Sequence, residues 1–375
     1  MAIITTIINN KGGVGKTSSC TAMGSILGAL GYKCLMIDND FQGNTTATFI
    51  PENQEIKKSI VDIFHMTDFT KENVQECILH TQYAGIDIIP ALPEHRDTDV
   101  YLYSQVGKRI VQKVLNKALR QIKDEYDFIL IDTHPDANMV AQNALCASDY
   151  VLTPVRPDGY SYQGITPTTN EILKIAQDED MNPNLNFLGV FITASNTKTG
   201  IYKTLRNFYQ TEFGDDFIPV TIRQDSAVDA VTTYLSPLPY LLGGQDYRSN
   251  AKWKGIYDYL ELMKYIEMIE YPDYVVARTA IEILDMNVIV SIDKTDKSNP
   301  KICGLEYTAE EPVLTEYDNH PCVTGSKLIE DALANDTLEH IKRFIITIAN
   351  KERMIKVGKK KYAKVKELVG DQKEI

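Results

Sequence analysis

The chain has 375 residues, of which 43% are hydrophobic and 24% are charged. This composition is typical of globular proteins and excludes a disordered chain, a collagen-like repeat and a disulfide scaffold, while the length predicts two or three domains. The formal net charge of −12 argues against a general nucleic-acid binder, because DNA-binding domains are usually basic.

Other global features predict a cytoplasmic protein. No apolar run approaches the roughly 18 residues of a membrane-spanning helix. The first ten residues lack the charged start of a signal peptide, so we expect none. The six cysteines are scattered without a CxxC pair, which is typical of reduced cysteines in the cytoplasm.

Short apolar segments alternate with helical patterns through residues 1–264. The predicted strands are 2–10, 33–38, Asp87–Pro90, Asp127–Asp132, Asn186–Thr193 and Phe217–Ile222. The predicted helices include 16–30, Gly107–Lys123 and Tyr202–Phe213. This alternation predicts an α/β fold with a mostly parallel sheet covered by helices on both faces. Such sheets bind ligands beyond the carboxyl ends of their strands.

The remaining residues, 265–375, have a different pattern and form a second predicted domain, a small α+β extension of unassigned role. Strands are predicted at Asn287–Asp293 and Ile302–Thr308, and a helix at Asp336 with a capping box. Residues 265–341 contain 5 basic and 16 acidic residues, whereas the tail 342–375 contains 11 basic and 4 acidic residues. The extension therefore ends in a basic tail.

The strongest motif is a glycine-rich run between the first predicted strand and the first predicted helix. Its glycines let backbone N–H groups surround phosphate oxygens, and the helix N-terminus adds a positive end. In such a loop Lys16 neutralises the β- and γ-phosphates and the Thr17 hydroxyl is a Mg²⁺ ligand. Lys11 is either solvated or reaches a phosphate in a neighbouring subunit, as an arginine finger does. The predicted nucleotide-binding residues of the loop are Lys11, Gly12, Gly13, Val14, Gly15, Lys16, Thr17 and Ser18.

The segment NNKGGVGKTS resembles the deviant Walker A loop of the ParA/MinD family of ATPases. The resemblance implies a P-loop NTPase fold, ATP and Mg²⁺ as cofactors, and a homodimer that encloses ATP, with Lys11 acting across the interface. The segment DNDFQGNTT is similar to the family's DxDxQGNxT switch, which implies that Asp40 positions the attacking water and Asp38 supports the Mg²⁺ shell. The implied catalytic residues are thus Lys11, Lys16 and Asp40.

Further family positions follow along the chain. Asp132 in YDFILID is similar to the Walker B aspartate, which binds Mg²⁺ through water. His134 departs from the proline usual there, and we interpret it as a packing or polar residue. Arg156 stands where Gln is more usual. Asn196 aligns with a position that contacts adenine, and its amide can both donate and accept.

The resemblance covers residues 1–264 and is closest to ParA/Soj-type partition ATPases. It implies an ATPase that binds DNA nonspecifically as an ATP-bound homodimer, associates with the nucleoid, and is released by a ParB-like centromere-binding partner. Lys198 and Arg223 align with family DNA contacts. Nearby basic candidates are Lys203, Arg206, Lys252 and Lys254. The alternative is a MinD-like or protein-cargo positioning ATPase acting on a membrane or a protein complex, although membrane association is disfavoured.

Overall fold

A computed structural model describes residues 2–29, 32–83, 85–107, 111–225, 228, 231, 235, 237, 254–268, 277–283, 286–293, 301–308, 313–314 and 343–344. The chain divides into two compact units. The first comprises Met1–Gly28, Tyr32–Leu238 and Lys254–Ile266. The second comprises Ala29–Gly31, Pro239–Trp253 and Glu267–Ile375. The two units interleave along the chain, and a domain boundary at residue 264 stays a prediction.

The first unit is built on an eight-stranded sheet. Its strands are β1 (Ile3–Ile7), β2 (Cys34–Asn39), β3 (Leu79–His80), β4 (Ile86–Ile89), β5 (Phe128–Thr133), β6 (Tyr150–Val155), β7 (Asn186–Ser195) and β8 (Phe217–Arg223). Their order is β3-β4-β2-β5-β1-β6-β7-β8. All neighbours pair in parallel except β3, which is antiparallel to β4. The predicted mostly parallel sheet is confirmed.

Ten α-helices are described in the first unit. They are α1 (Lys16–Ala29), α2 (Asn44–Phe49), α3 (Ile60–His65), α4 (Lys71–Gln75), α5 (Thr98–Gln105), α6 (Val114–Leu119), α7 (Met139–Ala147), α8 (Gly159–Gln177), α9 (Gly200–Phe213) and α10 (Lys254–Tyr265). Among the described residues, no helix has both the length and the apolarity needed to cross a membrane.

Apolar side chains cover both faces of the sheet because successive residues of a strand point to opposite sides. On one face, Leu35 and Ile37 of β2 join a buried cluster with residues of α3, α6 and α7. On the other face, Met36 meets α1 so closely that a Cβ on Gly24 would lie 2.2 Å from its sulfur. The prediction of helices on both faces is therefore confirmed.

The structure of the first unit differs from the prediction in two elements. The strand β6 was not predicted, because its run contains Pro154, a residue that usually argues against a central strand. The helix predicted over Gly107–Lys123 is reduced to a 3₁₀ turn at Val111–Lys113 followed by α6. The side chain of Asn143 explains where α6 begins, since it accepts hydrogen bonds from the backbone N–H groups of Val114 and Leu115.

The described part of the second unit is an antiparallel sheet. Its strands are β9 (Ala277–Ile283), β10 (Met286–Asp293), β11 (Lys301–Thr308), β12 (Val313–Leu314) and β13 (Arg343–Phe344), in the order β12-β11-β10-β9-β13. The two predicted strands are present as β10 and β11. The helix predicted from Asp336 is wrong at Arg343–Phe344, which form β13 and pair with β9. The consecutive aromatic and β-branched residues of the sequence FIITI, 344–348, suit a strand as well as a helix. The rest of that helix and of the basic tail lies outside the described residues.

Candidate nucleotide-binding site

The glycine-rich loop connects β1 to α1 at the carboxyl edge of the sheet. Gly13 and Gly15 have φ angles of +75° and +90°, which side chains with a Cβ rarely adopt. A Cβ placed on Gly12 or Gly13 would meet no atom within 4 Å, so this part of the loop faces open space. Because α1 begins at Lys16, the helix N-terminus and the loop N–H groups converge on one anion-binding position.

Residues far along the chain hold the loop in place. Thr193, near the end of β7, donates to the carbonyl oxygen of Val14 at 2.6 Å and lies 3.2 Å from that of Val155. A Cβ on Gly15 would lie 3.4 Å from the Thr193 hydroxyl, so the loop packs tightly there. The side chain of Asn9 accepts from the Lys11 N–H at 2.9 Å and donates to the carbonyl of Pro154 at 2.9 Å. Neither Thr193 nor Asn9 was identified from the sequence.

The helix α8 closes against the start of the loop at Gly164. A Cβ on Gly164 would lie 2.6 Å from the Cβ of Lys11 and 2.8 Å from Oδ1 of Asn9. Gly164→Ala should therefore lower the free energy of unfolding by about 1–3 kcal/mol, although alanine is the better helix former. Urea denaturation measures this change. Gly200→Ala, at the start of α9 where a Cβ meets nothing within 4 Å, is the matched control and should be neutral or stabilising. Equal stability of the two variants would contradict this packing.

Lys16 is buried at the base of the loop, with 6% of its surface exposed. Its Nζ donates to the carbonyl oxygen of Lys11 at 3.0 Å. Burial lowers the pKa of Lys16, while the carboxylates of Asp132, Asp40 and Asp136 oppose this shift. The ammonium group is thus held by acidic neighbours and the loop backbone, pre-positioned for an anionic ligand.

Two carboxylates lie side by side beneath the loop. Asp38 of β2 and Asp132 of β5 are register partners on adjacent parallel strands, and both are fully buried. The N–H and hydroxyl of Thr46 donate to Oδ2 of Asp38, each at 2.7 Å. Thr45 donates to Oδ2 of Asp132 at 2.8 Å. Burial and the neighbouring Asp132 raise the pKa of Asp38, and burial raises the pKa of Asp132 against hydrogen bonds from Thr17 and Thr45.

This carboxylate pair fits a divalent cation. The Oδ1 atom of Asp132 is buried and has no hydrogen-bond partner among the described residues. The hydroxyl of Thr17 lies near the same carboxylate and lowers its pKa. Hydroxyl and carboxylate oxygens are ligands that Mg²⁺ prefers, directly or through water. The donor set at this position therefore suits Mg²⁺.

A cavity of about 370 Å³ opens over the loop. Gly12, Gly13 and Lys16–Ser18 line its floor, and Asp40 and Gln42 line the side next to β2. Asp40 is 6% exposed, and its Oδ1 accepts from the Gln42 N–H at 2.9 Å. No donor among the described residues reaches its other oxygen, in contrast to Oδ2 of Asp38. Asp40 is therefore the carboxylate that faces the ligand space.

His134 lines the same cavity, and its contacts agree with its interpretation as a packing or polar residue. Its ring lies 4.4 Å from that of Phe41, centroid to centroid, and its Nδ1 is 2.9 Å from a carboxylate oxygen of Asp136. Arg96 also contacts Phe41, with its guanidinium carbon 5.0 Å from the Phe41 ring centroid. The stack joins the loops that follow β2 and β5.

The end of the cavity beside β8 is polar and tied to α10. Arg223 forms a bidentate ion pair with Asp258, with Nε and Nη2 donating over 2.7–3.1 Å. The hydroxyls of Ser19 and Tyr259 are hydrogen-bonded at 3.1 Å, which joins α1 to α10. The guanidinium of Arg223, a predicted DNA contact, is thus paired with Asp258 and lines the cavity.

Four other predicted site residues lie on α9 or just before it. Lys198 and Lys203 are exposed, and Arg206 is half-buried, its guanidinium carbon 5.7 Å from the Phe217 ring centroid. Asn196 is exposed and accepts from the Lys198 N–H at 3.1 Å; it is not among the described residues that line the cavity. Lys252 lies outside the described residues, as does the side chain of Lys254. The roles of these residues stay predictions.

The fold and the site define a P-loop nucleotide-binding protein. A family model described as an AAA domain matches residues 1–187. The sporulation initiation inhibitor protein Soj of Bacillus subtilis is 28% identical over 231 residues, which cover 60% of this chain and 88% of Soj. The chromosome partitioning protein ParA of Myxococcus xanthus is 27% identical over 221 residues, covering 58% and 75% of the two chains.

Solved structures share the same fold. A candidate plasmid partition protein from Borrelia burgdorferi B31, bound to AMPPNP, matches with a TM-score of 0.56 and 23% identity. The match covers 72% of this chain and 100% of that chain. The chain belongs to the ParA/MinD family and is an ATPase of that family.

Proposed function

We propose that this protein is an ATP-driven partition ATPase, which dimerises on MgATP, binds DNA nonspecifically in that state, and is released when a ParB-like partner stimulates hydrolysis. The observation that carries the proposal is the phosphate loop at the start of α1 beside the in-register pair Asp38 and Asp132. This arrangement supplies a polyphosphate cradle and a cation position within one edge of the sheet.

The residues of the site divide into binding and chemical roles. Thr17 would hold Mg²⁺ through its hydroxyl, and Asp38 and Asp132 would hold it through bound water. Bound Mg²⁺ neutralises charge on the phosphates during transfer. Lys16 stabilises the negative charge that develops on the leaving phosphate. Asp40 orients the attacking water and accepts its proton, because one of its oxygens faces the cavity.

Lys11 acts on the nucleotide of the second subunit. Its backbone carbonyl accepts from Lys16, its N–H donates to Asn9, and its Cβ lies against Gly164. It is not among the described residues that line the cavity of its own chain. A lysine in this position supports a role across a dimer interface, where it supplies positive charge as an arginine finger does. Asn196 is the proposed contact to adenine.

DNA binding is proposed for the surface around α9. Lys198 and Lys203 are exposed there, and a dimer would present two copies of this surface. Lysine side chains bind phosphates without reading sequence, since they neutralise charge and release counterions. The net charge of the whole chain matters less for this binding than where the positive charge collects.

The test is binding to random-sequence duplex DNA at low salt, with AMPPNP and Mg²⁺, with ADP, or without nucleotide. We expect binding and a dimeric mass by light scattering only with AMPPNP. Lys198→Gln with Lys203→Gln should weaken binding to every sequence by at least roughly tenfold and reduce the salt slope by about 4, because the dimer loses four lysines. Electrophoretic mobility shifts over a salt series measure both.

The double variant Lys57→Gln with Arg120→Gln is the control, because it also removes two positive charges from each chain. Both side chains are exposed on other parts of the first unit, so this variant should bind DNA as the natural protein does. Absence of DNA binding by the AMPPNP-bound natural protein would overturn the partition proposal and leave protein-cargo or membrane positioning as the remaining outputs.

A further inference from the structure

Arg156 is a cationic residue of the cavity that the site described above does not use. It directly follows β6 and lines the cavity together with the phosphate loop. Its guanidinium has no partner among the described residues, in contrast to that of Arg223, which is bonded to Asp258. Lys16 is also engaged, since its Nζ donates to the Lys11 carbonyl. Arg156 is therefore the cation at this cavity whose donors are available to a ligand.

The backbone on both sides of Arg156 is anchored. The fully buried Tyr209 donates its hydroxyl to the Arg156 carbonyl at 3.0 Å and lies 3.4 Å from that of Asp158. On the preceding residue, the carbonyl of Val155 lies 3.2 Å from the hydroxyl of Thr193. Burial of a polar hydroxyl is favourable only when it is bonded, so Tyr209 holds this turn in one position.

These anchors tie Arg156 to one part of the phosphate loop. The Thr193 hydroxyl that contacts Val155 also donates to the carbonyl of Val14 at 2.6 Å. It lies against Gly15 as well, where a Cβ would be 3.4 Å away. In loops of this kind the backbone N–H groups surround the α- and β-phosphates. The side chain of Arg156 thus starts beside the α/β-phosphate part of the cradle.

We propose that Arg156 binds the α- and β-phosphates of the nucleotide held by its own chain. A guanidinium presents five donors in a planar fork that suits phosphate oxygens, and bonds between ionised partners are about twice as strong as neutral ones. The role rests on the proposed nucleotide binding and adds a second cation to Lys16. Because the contact is to phosphates that ADP and ATP share, it strengthens the binding of both.

The test compares Arg156→Gln, Arg156→Lys and Arg120→Gln with the natural protein. Arg120→Gln is the matched control, since Arg120 is exposed and does not line the cavity. Isothermal titration with MgADP and with MgAMPPNP gives the dissociation constants. We expect Arg156→Gln to weaken both ligands by about tenfold and Arg156→Lys to weaken them by less, while Arg120→Gln binds as the natural protein does.

Three outcomes overturn the assignment. Arg156→Gln binding both ligands within twofold of the natural protein would exclude a phosphate contact. An equal loss in Arg120→Gln would attribute the effect to net charge. A loss seen only with MgAMPPNP, at concentrations where the protein is dimeric, would place the contact on the partner's nucleotide. Failure of the natural protein to bind MgADP would instead overturn the proposed function, before any variant is compared.

Discussion

Lys16→Ala should lower the rate of ATP hydrolysis by at least about a hundredfold and weaken MgADP binding by about tenfold or more. The buried ammonium group is fixed at the base of the loop by the Lys11 carbonyl and by acidic neighbours, and Lys16 is the only lysine among the described residues that line the cavity. Steady-state phosphate release measures the rate, and isothermal titration measures the affinity.

Folding has to be separated from function in this variant. Lys16 begins α1, where alanine is a good helix former, so the melting temperature should change little. Lys57→Ala removes an exposed lysine and should retain both hydrolysis and binding. Hydrolysis by Lys16→Ala within tenfold of the natural rate would contradict the role of Lys16 at the phosphates.

The local parts of the site could be predicted from the sequence, because they depend on short spacing. The phosphate loop needs glycines at fixed positions, and Gly13 and Gly15 have the positive φ angles that the motif demands. Asp38 and Asp132 were each predicted at the end of a strand. Their adjacency could not be predicted from spacing, since it depends on β2 and β5 being neighbours in the sheet order.

The supporting residues were missed because their contacts are distant in sequence. Thr193 bonds to Val14 across 179 positions, and Tyr259 bonds to Ser19 across 240 positions. A threonine near the end of a predicted strand gives no local signal that its hydroxyl will hold a loop. The position of Thr193 at the carboxyl edge was the only available hint, because ligand sites of parallel sheets lie there.

Asp40 differs from the other two carboxylates in what its oxygens contact. Both oxygens of Asp38 accept hydrogen bonds, from Thr46 and from the Asp40 N–H. Asp132 accepts from Thr45, has a second oxygen without a partner among the described residues, and lies next to Asp38. Asp40 lines the cavity with one oxygen bonded to the Gln42 N–H. Two carboxylates are therefore placed to hold a cation, and the third is placed to accept a proton.

Asp40→Ala should accordingly separate binding from hydrolysis. We expect the dissociation constant for MgAMPPNP to stay within twofold of the natural value, while kcat falls by about 10²–10⁴-fold, as on removal of a general base. Single-turnover hydrolysis and isothermal titration measure the two quantities. A large loss of MgAMPPNP affinity would instead place Asp40 among the residues that hold the nucleotide or its cation.

Asp40→Asn is the sharper variant, because it keeps an oxygen that can accept from the Gln42 N–H and so preserves the turn from Asp40 to Gly43. The amide cannot accept a proton from water at neutral pH, so asparagine should lose as much of the rate as alanine does. If Asp40→Asn hydrolysed ATP at the natural rate, the carboxylate would serve only to shape this turn. If both variants lose the rate and keep the affinity, the loss belongs to the chemical step, since an intact turn and an intact binding site leave only proton transfer and water orientation to account for it.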